Sequence, residues 1–189
     1  HIIDLFGAFI EPLEECLGVE SSHKQGISFD PHDRKLYQKR ISAIEYTLKH
    51  DDGCSLQKLD QADIILVGVS RSGKTPTCLY LGLQYAIRAA NYPLTEVDVE
   101  YQKLPAALEP YRDKLFGLII SPDRLRSIRE LRRPGSTYAS LQQCQKEVRN
   151  IKALYDQEGI HYVDTSHVSV EEIAATILQQ QKLKRRMLI

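Results

Sequence analysis

Two kinds of apolar pattern alternate along the chain. Ile64, Ile65, Leu66 and Val67 form an unbroken aliphatic run, as expected of a strand buried on both faces. This predicts a strand over 63–68. Leu79, Leu83 and the pair Tyr85–Ala86 then recur at helical spacing, which predicts a helix over 75–89. Tyr92-Pro93-Leu94 reads as a short further strand, and the apolar run from Leu115 to Ile120 as another. Helical patterns follow at 122–132 and 138–157, and Ile160 to Val163 is again strand-like. The segment Val168 to Leu183 is amphipathic, with Ser169 placed to cap it and Glu172 three residues on, a capping-box signature.

The first third differs. Glu11-Pro12-Leu13-Glu14-Glu15 reads as a helix start, with proline in the first turn and acids at the positive end. Residues 19–30 are polar and read as a loop. From Pro31 to His50 a long helix is predicted, because Leu36, Tyr37, Ile41, Ile44 and Leu48 keep an apolar rhythm of three to four. Asp51-Asp52-Gly53 ends it. Strands alternating with helices imply an α/β fold, a mainly parallel sheet flanked by helices. A partial, mostly helical N-terminal segment over 1–60 precedes a nucleotide-binding domain over 61–189.

Chemistry enters where the first strand ends. Gly68-Val69-Ser70-Arg71-Ser72-Gly73-Lys74-Thr75 has the Gly-x-x-x-x-Gly-Lys-Thr form of a phosphate-binding loop. Gly68 and Gly73 let the backbone close around phosphates. Its N–H groups and the positive end of the next helix suit an anion. Lys74 can reach a terminal phosphate, and the Thr75 hydroxyl can hold Mg²⁺. Pro76 falls in the first helical turn, where its missing N–H does no harm. In parallel sheets, ligands bind at the carboxyl ends of strands, which is where this loop falls.

Composition narrows the classes. A chain of 189 residues with 42% hydrophobic content can bury a real core. A net charge of zero gives no reason to expect nucleic acid as a partner. No apolar stretch approaches a membrane span. The chain starts at His1 inside an apolar stretch, so a natural N-terminal part is expected to be missing. Cys16, Cys54, Cys78 and Cys144 form no Cys-x-x-Cys pair, so they read as buried or semi-buried thiols of the reducing cytoplasm.

Other groups carry weaker signals. Arg124, Arg126, Arg129, Arg132 and Arg133 outnumber the acids around them. Arginines near phosphates can neutralise transition-state charge. Arg132 and Arg133, beside Pro134-Gly135, are the better candidates, although a solvated helical face explains them as well. Arg71, within the loop, suits a phosphate, a partner's acidic group or solvent. Acids at a helix C-terminus oppose its dipole, so Asp51 and Asp52 break a local rule. Either could accept a hydroxyl proton or ligate Mg²⁺, and a plain Asp-Gly turn is the simpler alternative. Tyr37 suits core packing better than substrate contact. The histidines His23, His32, His161 and His167 show no metal-ligand spacing.

The whole chain resembles a known family. The residues that carry the likeness include 68–77, the stretch Ala89-Ala90-Asn91-Tyr92-Pro93-Leu94, and Phe9-Ile10-Glu11-Pro12-Leu13-Glu14. Lys39-Arg40-Ile41 to His50-Asp51-Asp52-Gly53, Lys114-Leu115-Phe116-Gly117-Leu118, Arg132-Arg133-Pro134 and Tyr138-Ala139-Ser140 extend it. The chain is similar to the bacterial phosphoenolpyruvate synthase regulatory proteins, relatives of the pyruvate, phosphate dikinase regulatory proteins. The resemblance implies a bifunctional enzyme. It would transfer a phosphoryl group from ADP to a threonine of phosphoenolpyruvate synthase, and reverse this with inorganic phosphate, releasing pyrophosphate. It implies Asp51 or Asp52 as general base and Arg132 and Arg133 as phosphate clamps. ADP, Mg²⁺ and phosphate are the implied small molecules. The residues leave open an ATP-dependent small-molecule kinase, a nucleotide-gated docking protein, and assembly as a homo-oligomer.

Overall fold

The central strand of the molecule is the run of four aliphatics. In the computed structural model, β1 (Ile64–Gly68) is buried along its whole length, with β2 (Ala89–Pro93) on one side and β3 (Leu115–Ile119) on the other. A fourth strand, β4 (Tyr162–Asp164), pairs outside β3. The order is β2-β1-β3-β4 and every pairing is parallel. The structure describes residues 7–21, 34–53, 55, 57–101 and 103–183.

Both faces of the sheet are covered, which is why β1 needs no polar alternation. Ile64 and Leu66 face α3 (Lys74–Tyr85) and α7 (Val170–Gln180), in a core with Cys78, Leu81, Phe116 and Ile177. Ile65 and Val67 face the other way, onto α5 (Pro122–Arg132) and α6 (Leu141–Glu158), through Leu125, Ile151, Leu154 and Tyr155. The Ser169 capping box forms as its spacing predicts, and Ser121 caps α5.

Helix α2 (Arg34–Lys49) packs against α3, and Thr47 Oγ1 donates to the Ala89 carbonyl at 2.9 Å. The chain divides into two compact units, His1–His32 and Asp33–Ile189. Helix α2 therefore belongs with the phosphate loop, whereas the sequence pattern places the boundary at 60. Within the first unit, α1 spans Gly7–Leu17. It begins before Glu11 and carries Pro12 inside rather than in its first turn.

Other boundaries also move. Strand β2 starts at Ala89, not Tyr92, because pairing to Ile64 and Ile65 overrides the weak strand preference of Ala89-Ala90-Asn91. β4 is displaced to Tyr162–Asp164. A short helix α4 (Glu96–Glu100), closed by a Thr95–Asp98 capping box, has no counterpart in the predicted pattern. Tyr37 is exposed rather than packed, and Cys16 is exposed, while Cys78 and Cys144 are buried. The predicted polar loop beyond Ser21, His23, His32 and Cys54 lie outside the described residues.

Candidate active site

The phosphate loop leaves the end of β1 and turns directly into α3. Gly68 is required sterically, since a Cβ there would lie 2.7 Å from the Leu118 carbonyl oxygen and 2.8 Å from Ser72 Oγ. Gly73 has φ 92, a left-handed backbone that suits glycine. Arg71 also has a positive φ, 75, at the exposed tip. The loop is tied down from several sides. The Tyr155 hydroxyl, fully buried, donates to the Val67 carbonyl at 2.9 Å. Thr165 Oγ1 reaches the Ser72 carbonyl at 3.1 Å, and Thr77 Oγ1 the Gly73 carbonyl at 2.9 Å.

Lys74 is 4% exposed, and its ammonium donates to the carbonyls of Gly68 at 3.0 Å and Val69 at 2.9 Å. Burial lowers its pKa to about 8, against the pull of the nearby Asp52 carboxylate. Relative to the unfolded chain, the buried charge costs stability below pH 8, and that cost fades as pH rises toward the ordinary 10.5. A bound phosphate favours the charged form, so binding takes up a proton above about pH 8. A phosphate ligand held at Lys74 is therefore expected to bind more weakly as the pH rises between about 7 and 9.5, read by titration calorimetry with inorganic pyrophosphate. A flat profile would contradict the role given to Lys74.

The sequence-predicted acids do arrive at the loop. The buried His50 ring sets its two nitrogens 2.7 Å from the Tyr46 carbonyl oxygen and 2.6 Å from that of Gln57, next to the turn that follows. The Asn91 N–H donates to the His50 carbonyl at 2.9 Å, joining this turn to β2. Asp51 Oδ1 then accepts from the Thr75 hydroxyl at 2.9 Å. Asp52 adopts a left-handed backbone with φ 49 and lines a cleft of about 260 Å³ with Ser70, Lys74, Thr75 and Asn91.

Asn91 is the residue that the sequence reading gave no role. It is 2% exposed, and its amide nitrogen lies 2.6 Å from Asp51 Oδ1, 3.1 Å from Asp52 Oδ1 and 3.0 Å from Thr75 Oγ1. Two carboxylates and a hydroxyl thus share one donor group. The opposite amide orientation would set its oxygen against both carboxylates. Asn91 Oδ1 and Ser72 Oγ are buried with no partner among the described residues. Both therefore retain hydrogen-bonding capacity beside the loop. A polar residue in the middle of a strand is the signal that could have found Asn91.

The arginines divide differently from expectation. Arg132 and Arg133, at the end of α5, are exposed, and neither lines the loop cleft. Arg133 instead sits 6.0 Å over the Tyr138 ring. The arginine brought to the loop is Arg129, 1% exposed. It forms a two-pronged pair with Glu147 at 2.9 and 2.7 Å and donates to the Ser70 carbonyl at 3.2 Å. It also lies 4.0 Å over the Tyr138 ring, whose hydroxyl donates to Ser70 Oγ at 3.0 Å. A charge at helical spacing from a buried leucine, Leu125 and then Arg129, was the available sequence signal.

Lysine, threonine, two carboxylates and a glycine-built loop thus stand together at the carboxyl edge of a parallel sheet, an arrangement suited to phosphate chemistry. Residues 1–178 match the model of the kinase/pyrophosphorylase family, and the chain belongs to that family. A relative from Burkholderia multivorans is 52% identical over 185 residues, covering 98% of this chain and 68% of the relative. One from Marinobacter nauticus is 51% identical over 184 residues, covering 97% and 68%. Both are provisionally named phosphoenolpyruvate synthase regulatory proteins. Among the described residues, no helix is long and apolar enough to cross a membrane.

Proposed function

We propose that this chain is the catalytic part of an ADP-dependent protein kinase and phosphate-dependent pyrophosphorylase acting on a threonine of phosphoenolpyruvate synthase in the cytoplasm. The observation that carries this reading is the joining of Asp51, Asp52, Asn91 and Thr75 at the mouth of the loop that holds Lys74. It unites a diphosphate cradle with carboxylates suited to a hydroxyl acceptor. The names of the relatives supply the target.

Thr75 Oγ1 and the Asp51 carboxylate form an all-oxygen donor pair of the kind that Mg²⁺ prefers, so these residues fit that ion. Bound there, Mg²⁺ would neutralise phosphate charge. The loop N–H groups and Lys74 orient the terminal phosphoryl group and offset its charge. Both carboxylates accept from Asn91, but Asp51 is also held by the Thr75 hydroxyl, whereas Asp52 is exposed in the cleft. Asp52 is therefore the base. In the forward direction the threonine oxygen attacks the β-phosphorus of ADP, its proton passes to Asp52, and AMP leaves. In the reverse direction a phosphate oxygen attacks the phosphothreonine, the threonine oxygen leaves and regains a proton from Asp52, and pyrophosphate forms.

The test uses ADP labelled in its β-phosphate, Mg²⁺, this chain and a phosphoenolpyruvate synthase, with γ-labelled ATP in parallel. Acid-stable label on a threonine from ADP alone, released as pyrophosphate when phosphate is added, is the expected result. Label only on a small acceptor from ATP would overturn the reading. Asp52→Asn is expected to slow transfer by about 10²–10⁴-fold while ADP still binds. Unchanged turnover in that variant would remove Asp52 from the mechanism.

A further inference from the structure

A second cleft opens on the phosphate loop, on the opposite flank of β1 from Asn91. The strand order places β2, with Asn91, on one side of β1, and β3 and β4 on the other. The second cleft, about 200 Å³, lies on the β3–β4 side. Its walls are Ile120, Ile128, Val168, Val170 and Ile173, and Arg124 stands at its edge. Arg71, Gly73, Pro76 and Ile128 line both clefts, so the loop's tip and the first turn of α3 form the ridge between them.

We propose that this second cleft takes the purine base of the nucleoside diphosphate whose phosphates lie in the loop, an inference that rests on the function proposed above. The two flanks differ in chemistry. The β2 flank carries Asp51 and Asp52, suited to a cation and a hydroxyl acceptor. A nucleoside on that flank would displace the acceptor. The β3–β4 flank carries branched aliphatics, which suit a flat aromatic ring, and the guanidinium of Arg124 can lie over such a ring. The volume is below the roughly 300–1,000 Å³ of drug-sized sites and suits a single fused ring. The wall is also mechanically joined to the loop, because Thr165 Oγ1 reaches both the Ser72 and the Ile119 carbonyls, at 3.1 and 3.0 Å. The base and the diphosphate would then be held by one rigid unit.

Pyrophosphate lacks the base, which makes the experiment selective. Calorimetry with ADP and with pyrophosphate is run on this chain and on Val168→Trp, which fills the cleft from its rim. Val168→Trp is expected to raise the Kd for ADP by about tenfold or more, with pyrophosphate affinity within about twofold. In the unmutated chain carrying ¹³C-methyl labels, ADP is expected to shift the Val168, Val170 and Ile173 signals, and pyrophosphate to leave them in place. This second readout does not depend on how the variant folds. If both ligands bind and neither the methyl signals nor the ADP affinity responds in this way, the base cleft is wrong and the phosphate loop stands. If neither ligand binds the unmutated chain, the proposed function falls, and this inference with it.

Discussion

Lys74→Ala is expected to abolish phosphoryl transfer in both directions with little change in thermal stability. The ammonium is the one loop cation that is both buried and in contact with the loop carbonyls, at Gly68 and Val69. Its removal takes away charge stabilisation that no neighbour can replace, because Arg129 is committed to Glu147 and Arg71 sits at the exposed tip. Loss of one such donor costs about 10²–10³-fold in turnover, and a full charge more. Stability is spared because two opposing effects act. The variant loses two hydrogen bonds and is relieved of a charge whose burial lowers its pKa to about 8. The check pairs β-labelled transfer and pyrophosphate release with a melting curve. A variant that melts normally and transfers at the original rate would exclude the phosphate loop from the reaction.

Arg129→Ala is expected to produce the largest loss of stability. The guanidinium is nearly sealed from water, and Glu147 has no other cation within ion-pair distance among the described residues. Truncation strands a buried carboxylate and removes a donor from the carbonyls of Ser70 and Tyr138. Breaking one side of such a pair costs about 3–5 kcal/mol. For a domain of this size that lowers Tm by on the order of 10 °C. The double variant Arg129→Met with Glu147→Leu should recover much of the loss, since apolar replacement of both partners leaves no charge unpaired. A fall in Tm of less than about 3 °C in Arg129→Ala would mean that the pair is solvated and that the loop is held by other contacts.

These two residues also show what was readable in the sequence. Lys74 was legible because the loop pattern is local and the aliphatic run before it has one sensible structure. The Ser169 cap was legible for the same reason. Arg129 was not, because its meaning depends on Glu147, eighteen residues away on another helix. Arg132 and Arg133 drew attention through their loop-like neighbours, yet α5 turns Leu125 and Arg129 inward and leaves those two outside. Asp51 and Asp52 were visible as a breach of helix-end electrostatics. Their partner Asn91 was hard to read because the alanines before it carry little strand signal, so its place in mid-strand becomes plain once β2 is paired with β1.

The all-parallel order has a consequence for how the protein comes into being. Parallel neighbours need crossovers, so the contacts that shape the loop join distant stretches of chain. Thr75 and Asp51 are 24 residues apart, Ser70 and Arg129 59, Val67 and Tyr155 88, and Ser72 and Thr165 93. Such long loops close slowly. During translation the complete loop motif leaves the ribosome well before Tyr155 and Thr165 exist to brace it. A growing chain therefore carries the recognisable signature long before it carries the organised site. The braces that hold its backbone can form only once the segments that bear Tyr155 and Thr165 have been made.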